Sequence, residues 1–211
     1  MKKAGKSLRV YATLEHVVKL PDGSLYGYLL TTRILSGNVE IGYGEITDKN
    51  IKENAEFMAI KHIVNKHTNK KIFIRMPQES GMKYLQTAPN PNVVICLPID
   101  MRLENMAKIV ALVKKLGMKC AICDYSTIGY ELKEFKLGSF DYIFLRDDFY
   151  ANAKRSELKK LIDTMKFLKI TVGFRNIDST DKLKLALSMG ADIGHGYLFG
   201  SEMVPVGILE E

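Results

Sequence analysis

Two hydrophobic rhythms take turns along the chain. Residues 9–18 are rich in β-branched and apolar side chains and stop at Pro21-Asp22-Gly23, a turn signal. Residues 25–34 repeat the pattern, so the two segments predict an antiparallel hairpin. Residues 48–66 change period: Ile51, Ala55, Met58, Ala59 and His62/Ile63 recur at helical spacing, with Asp48 as N-cap. Short apolar strands are then predicted at 71–76 and 93–97, closed by Pro77 and Pro98. A helix follows at 103–116, its inner face made by Leu103, Met106, Ile109, Val110, Val113 and Leu116 and its end set by Gly117. Strands are predicted at 119–125, 141–145 and 170–174, and a last one within 191–199. Helices are predicted from the N-cap Ser156 through Leu168 and from Ser179 to Met189, the latter ending at Gly190. Residues 37–44 give no pattern.

Strands separated by amphipathic helices imply an α/β fold with a parallel sheet. The number of strands fits a (β/α)8 barrel with an irregular start. A doubly wound open sheet is the alternative. Neither Gly-x-Gly-x-x-Gly nor a Gly-Lys-Ser/Thr phosphate loop occurs, so a nucleotide-binding open sheet has no direct support.

Composition narrows the class. The 211 residues are 46% hydrophobic and 26% charged, which excludes a disordered tail, a collagen-like fibre and a disulfide-dense miniprotein. A formal charge of +7 would attract nucleic acid, an anionic membrane surface or an acidic protein, and selects none of them. Met-Lys-Lys opens the chain without an apolar stretch behind it, and no run reaches membrane-span length. Three cysteines suggest a reducing compartment. We therefore expect a cytoplasmic protein without membrane insertion.

In a parallel barrel, chemistry collects at the C-terminal ends of the strands. Those ends offer Asp100, Asp124, Asp147, Asp148, Asp178 and His195, interrupted by Arg75, Phe144 and Arg175. Asp124 and Asp178 are weak metal candidates, because cations beside them repel a divalent ion. Ion pairs with Arg75 and Arg175 explain them better. Cys120 and Cys123 form a Cys-x-x-Cys with no second ligand pair, and strand geometry sends them to opposite faces, so both are expected in the core. Residues 61–75 form a basic stretch containing His62 and His67, read either as an anion-binding patch or, preferably, as a solvated helix end. A Gly-x-Ser-x-Gly nucleophile motif is absent.

Residues 192–200, Asp-Ile-Gly-His-Gly-Tyr-Leu-Phe-Gly, resemble the last strand of EAL domains, typically Gln-Gly-Tyr-Leu-Phe. Cys123-Asp124-Tyr125-Ser126-Thr127 stands where that family has Asp-Asp-Phe-Gly-Thr-Gly. Phe140 to Arg146 matches Val-Asp-Tyr-Leu-Lys-Ile-Asp, and residues 168–183 resemble the Glu-Gly-Val-Glu-Thr strand and the helix after it. Gly23, Gly27 and Arg33 fall where the family has its turn and its Glu-Ala-Leu-x-Arg signature. The resemblance covers most of the chain and is most specific over 117–200.

The resemblance implies a modified (β/α)8 barrel with an antiparallel first strand, here shortened in the N-terminal half. It implies one domain over 8–207 behind a short basic extension, 1–7. Family members hydrolyse cyclic di-GMP with two divalent metals. Position by position, the resemblance places Leu29 at the signature glutamate ligand and Arg75 at the asparagine ligand. Cys96 stands near the next glutamate, and Cys123 at the first aspartate of the pair, whose second is Asp124. Phe144 replaces the lysine and Arg146 the aspartate after it. Arg175 and Asp178 fall on the later glutamate pair, and His195 on the final glutamine. The signature arginine survives as Arg33, while the first-strand glutamine is Glu15. Ser126-Thr127-Ile128 lacks the glycines of the family's coupling loop.

On this count no catalytic residue and no cofactor are expected, Mg or Mn entering only with residual activity. Hydrolysis is not expected. The expected role is regulation in bacterial signalling through a protein partner. The alternative is a cyclic di-GMP receptor without turnover, using Arg33 and Asp178. A site rebuilt around Asp124, Asp178 and His195, and a nucleic-acid-binding module on 61–75, rank below these.

Overall fold

The computed structural model describes residues 7–42, 45–67, 69–126 and 139–210. Most of the expected N-terminal extension and the Thr127-Ile128 part of the coupling loop lie outside them. Two long strands, β1 (Ser7–Lys19) and β2 (Leu25–Ser36), form the predicted hairpin, paired from Leu8↔Ser36 to Val18↔Leu25. After β3 (Val39–Ile41) and helix α1 (Lys49–Lys66), the chain repeats strand and helix: β4 (Lys71–Arg75), α2 (Glu79–Thr87), β5 (Val93–Pro98), α3 (Leu103–Lys115) and β6 (Lys119–Tyr125). Then come β7 (Tyr142–Leu145), α4 (Asp147–Asn152), α5 (Arg155–Phe167), β8 (Thr171–Phe174), α6 (Thr180–Met189), β9 (Ile193–His195) and β10 (Ser201–Glu210).

Eight strands close a ring. β2 and β4 through β9 are joined by parallel pairs, and β1 closes the ring antiparallel to both β2 and β9. This is the barrel with an antiparallel first strand, and the open-sheet alternative is excluded. Residues Val17–Lys19 pair with β9, Lys19 lying toward the base and Val17 toward the mouth, whereas Ser7–Glu15 of β1 pair with β10. The upper halves of β1 and β2, flanked by β10 and β3, therefore project beyond the barrel mouth as an antiparallel arm.

Packing follows from strand alternation. One set of side chains faces the helices and forms the main core, with Leu14, Ile72, Ile95, Ile122 and Val172 among them. The opposite set fills the barrel: Val17, Leu29, Phe73, Val94, Cys96, Ala121, Cys123, Tyr142, Phe144 and Ile193. Phe73 stands edge-on to both Tyr142 and Phe144, with centroids 5.2 and 5.3 Å away. Tyr26 and Tyr142 hydroxyls share a 2.8 Å hydrogen bond near the base. The interior is packed solid rather than hollow. A third cluster, including Leu8, Val10, Ile34 and Ala55, fixes the arm on α1.

Helix ends show the local physics. Asp48 Oδ1 accepts from the Asn50 N–H at 2.7 Å, and Ser179 Oγ accepts from the Lys182 N–H, as expected of N-caps. Gly190 ends α6 in the left-handed region, φ 79°. Ser156 is not the cap: Lys154 is the extended N-cap and its carbonyl accepts from the Leu158 N–H, so α5 starts two residues earlier. Helix α2 eluded the sequence because Gly81 breaks its propensity. The glycine fits a tight spot, since a Cβ there would lie 2.9 Å from Ile60 Cδ1 and 3.1 Å from Pro77 Cβ. No helix among the described residues is long and apolar enough to cross a membrane.

Candidate functional site

At the C-terminal ends of the strands, Leu29, Arg75, Cys96, Cys123, Phe144, Arg175 and His195 line a single cavity together with Phe73. These seven are positions singled out in the sequence, and they converge because each lies on the inner side at the mouth end of the ring, Arg175 just past β8 and Leu29 where β2 pairs with β4. The cavity holds about 10 Å³, room for about one water molecule. Phe144 closes it from β7, its ring 5.6 Å from that of His195. Gly173 makes space for that ring: a Cβ there would sit 2.5 Å from Phe144 Cδ1.

Asp124 joins the group from β6. It breaks the ladder between Ile122 and Tyr125 and takes φ 63°, a left-handed conformation that aspartate tolerates better than most residues. Its carboxylate forms an ion pair with Arg175, whose side chain is only 11% exposed. The backbone beneath that arginine is held on both sides: Arg175 N–H donates to Leu145 O, and Tyr150 Oη donates to Arg175 O at 2.6 Å. Burial is the main force pushing the Arg175 pKa down, with Arg75 adding to it.

Across the mouth, Glu15 of β1 contacts His195 Nδ1 at 3.2 Å. That hydrogen bond is the largest cause holding the Glu15 carboxyl below its usual range. Burial pushes His195 down, against the pull of Glu15. The expected core cysteines are buried and free. Contact with Cys123 and burial push the Cys96 thiol well up, and burial takes Cys120 to about 12.

Three expected site residues stand apart. Arg33 lies on the arm, paired with Glu40 at 2.7 Å, in a neighbouring cleft of about 590 Å³ that Arg75 and Glu15 also line. Arg146 turns outward and holds Asp148. Asp178 accepts from Lys182 Nζ at 2.9 Å, one helical turn on. The ion pairs expected with Arg75 and Arg175 are met in part: Asp124 pairs with Arg175, whereas Asp178 pairs with Lys182 and Arg75 takes neither acid. The reason is the loop after β8, where Asn176 adopts φ 52° and Asp178 lies beside the start of α6. The sequence reading missed Phe73 and Lys182. Phe73 was detectable as the inward residue of β4, and Lys182 as the i+4 partner of Asp178. Asp100 is exposed just after β5.

The basic stretch is spread out rather than focused. Lys61 sits over the Phe57 ring at 5.8 Å, Lys70 Nζ donates to Leu25 O, and Lys71 Nζ donates to Asn92 Oδ1.

The residues present do not fit a divalent metal pair. Two such ions need several anionic oxygens around about four positive charges. The cavity instead presents two arginines, a leucine and two phenylalanines, and its nearest acids, Glu15 and Asp124, are engaged by His195 and Arg175. No group of three His, Cys, Asp or Glu placed to hold a metal occurs among the described residues. Asp124, Asp178 and His195 each have a different partner, so a site rebuilt from them is not assembled.

No protein-family model and no curated protein matches the chain. Solved structures do. An EAL domain protein from Listeria monocytogenes superposes with a TM-score of 0.72 at 18% identity, over 92% of this chain and 89% of that one. The PaMucR phosphodiesterase, in a c-di-GMP complex, gives 0.72 at 14% identity over 93% and 97%. The Bacillus subtilis YkuI protein, which has an EAL domain and holds substrate c-di-GMP and calcium, gives 0.70 at 13% identity over 95% of this chain and 56% of that one. At such identities the likeness is one of architecture, and this chain has the fold of the EAL domain proteins.

Proposed function

We propose that the chain is a catalytically inactive EAL-like regulatory protein of bacterial signalling that acts by binding another protein. The observation that carries this reading is the filled mouth. Where a two-metal hydrolase needs open coordination positions, Arg175 is paired with Asp124 and Phe144 packs against His195 in a cavity of about 10 Å³. The contacts that a dinucleotide would use are also engaged, Arg33 by Glu40 and Asp178 by Lys182. A barrel that keeps its frame while its reacting groups are replaced retains its surface as its working part.

A second reading, a cyclic di-GMP receptor without turnover, is favoured by the 590 Å³ cleft beside the mouth, where Arg33 and Arg75 face one space, and by solved neighbours whose structures contain c-di-GMP. Calorimetric titration with cyclic di-GMP, with and without Mn²⁺, separates the two. Silence in both supports the protein-binding reading. Heat without a linear product supports the receptor. Metal-dependent binding followed by linear dinucleotide sinks both.

A further inference from the structure

Lysines gather at one face of the barrel. In this barrel the parallel strands begin, and the helices end, at the base. Lys71 and Lys119 open β4 and β6, Lys19 closes the antiparallel β1, and Lys169 stands just before β8. Lys66, Lys115 and Lys166 lie in the last turns of α1, α3 and α5. Asp141 neutralises Lys119 and Asp192 neutralises Lys166, at 2.8 and 3.0 Å. Lys19, Lys66, Lys115 and Lys169 are exposed and make no ion pair among the described residues. Helix dipoles favour cations at helix ends, which accounts for Lys66 and Lys115. The same effect extends to Lys169, the residue after the C-cap of α5, but not to Lys19, which closes a strand; Lys19, Lys166 and Lys169 line one cleft of about 540 Å³, in which Asp22 and Asp192 are the acids.

A second observation points to the ligand. Phe167, the last residue of α5 and the base end of its outward stripe with Lys160 and Thr164, is 86% exposed, and the C-cap Leu168 is 41% exposed. The turn from Lys166 to Lys169 is fixed: Lys169 takes φ 61° and its N–H donates to Lys166 O at 2.8 Å. The apolar face of α5 is already complete without Phe167, since Leu158, Leu161, Ile162 and Met165 fill the core. A phosphate duplex would use the lysines and leave the phenyl ring in water. A lipid surface uses both, with headgroup phosphates for the ammonium groups and the headgroup–acyl boundary for an aromatic wedge.

We infer that the base of the barrel docks on an anionic lipid surface, with Phe167 and Leu168 entering the headgroup boundary and Lys19, Lys115 and Lys169 meeting lipid phosphates. Docked this way, the barrel mouth and the arm face the aqueous side, where a protein partner can reach them.

The chain has no tryptophan, so Phe167→Trp supplies a single reporter. With vesicles of phosphatidylcholine containing about one third phosphatidylglycerol, its emission shifts to the blue and the protein sediments with the lipid. Phosphatidylcholine alone does neither. Raising NaCl from about 0.1 to about 0.5 M, or adding Lys19→Glu and Lys115→Glu, lowers binding at least about tenfold. Val39→Trp, at the far end of the arm on a residue 70% exposed, shows no shift. Circular dichroism establishes that each variant is folded. The inference is overturned if folded Phe167→Trp protein ignores anionic vesicles, if neutral vesicles bind equally, or if Val39→Trp shifts as much. Binding to a short DNA duplex while vesicles are ignored overturns it in favour of nucleic acid.

Discussion

At the scale of single residues, the mouth of the barrel is an electrostatic exchange. Arginine stands where the likeness to EAL domains implies an acid, and one remaining acid has become its counterion. Asp124→Ala leaves the Arg175 charge unpaired in a largely buried place. Breaking a buried pair costs about 3–5 kcal/mol. With the Asp124 side chain 38% exposed, we expect about 2 kcal/mol after solvent screening. Adding Arg175→Met should recover most of that loss, since the stranded charge disappears with it. Denaturant unfolding of the two single variants and the double variant measures the coupling.

Glu15 and His195 set a pH dependence. Both are held below their ordinary values, His195 by burial and Glu15 by the hydrogen bond to His195. Arg75 and Arg175 push both in the same direction. The folded chain therefore binds fewer protons than the unfolded chain as pH falls. The contribution is complete above the unfolded values and drains away below them, His195 first, below its ordinary 6.5. Melting temperature should fall between pH 7 and 5, and His195→Gln should flatten that slope. An unchanged slope in the variant would place the dependence elsewhere.

At the scale of elements, β7 and β8 are matched to each other. Phe144 fills the barrel where Gly173 leaves room. Gly173→Ala should cost about 1–3 kcal/mol by overpacking, read as a lowered denaturant midpoint, and Phe144→Leu in the same chain should relieve part of it. The strands carrying these residues were legible in the sequence because inward alternation near a strand end is a local property. That is why Arg75, Cys123, Phe144, Arg175 and His195 could be placed at strand ends without coordinates, whereas Leu29 and Cys96 came only from the resemblance to EAL domains. Arg33, Arg146 and Asp178 lie beyond or outside the ring, where side-chain direction depends on the arm, a helix start or a left-handed Asn176. No periodicity encodes those choices. β10 was missed for a related reason: Pro205 and Gly207 interrupt it, a bulge shifts its register near Val10/Tyr11, and both its faces are substantially exposed. It forms because the projecting half of β1 offers it a partner.

At the scale of the whole molecule, the fold divides the work by face. The base carries the unpaired lysines and the exposed Phe167. The mouth is closed by packed aromatics and ion pairs, and the arm projects past it. The net charge of +7, uninformative as a sum, gains meaning from this distribution, because the arginines at the mouth and the lysines at the base answer different questions. The residues at the mouth do not fit a pair of divalent metals, and on the proposed function the chain does not hydrolyse cyclic di-GMP. The most direct measurement is incubation of the folded full chain, and of Arg175→Glu, with cyclic di-GMP and Mn²⁺ or Mg²⁺, followed by chromatography for the linear dinucleotide. No product is expected from either protein, because Leu29, Arg75 and Phe144 remain in both. Metal-dependent appearance of linear product, in the parent chain or after that single substitution, would contradict the proposed function.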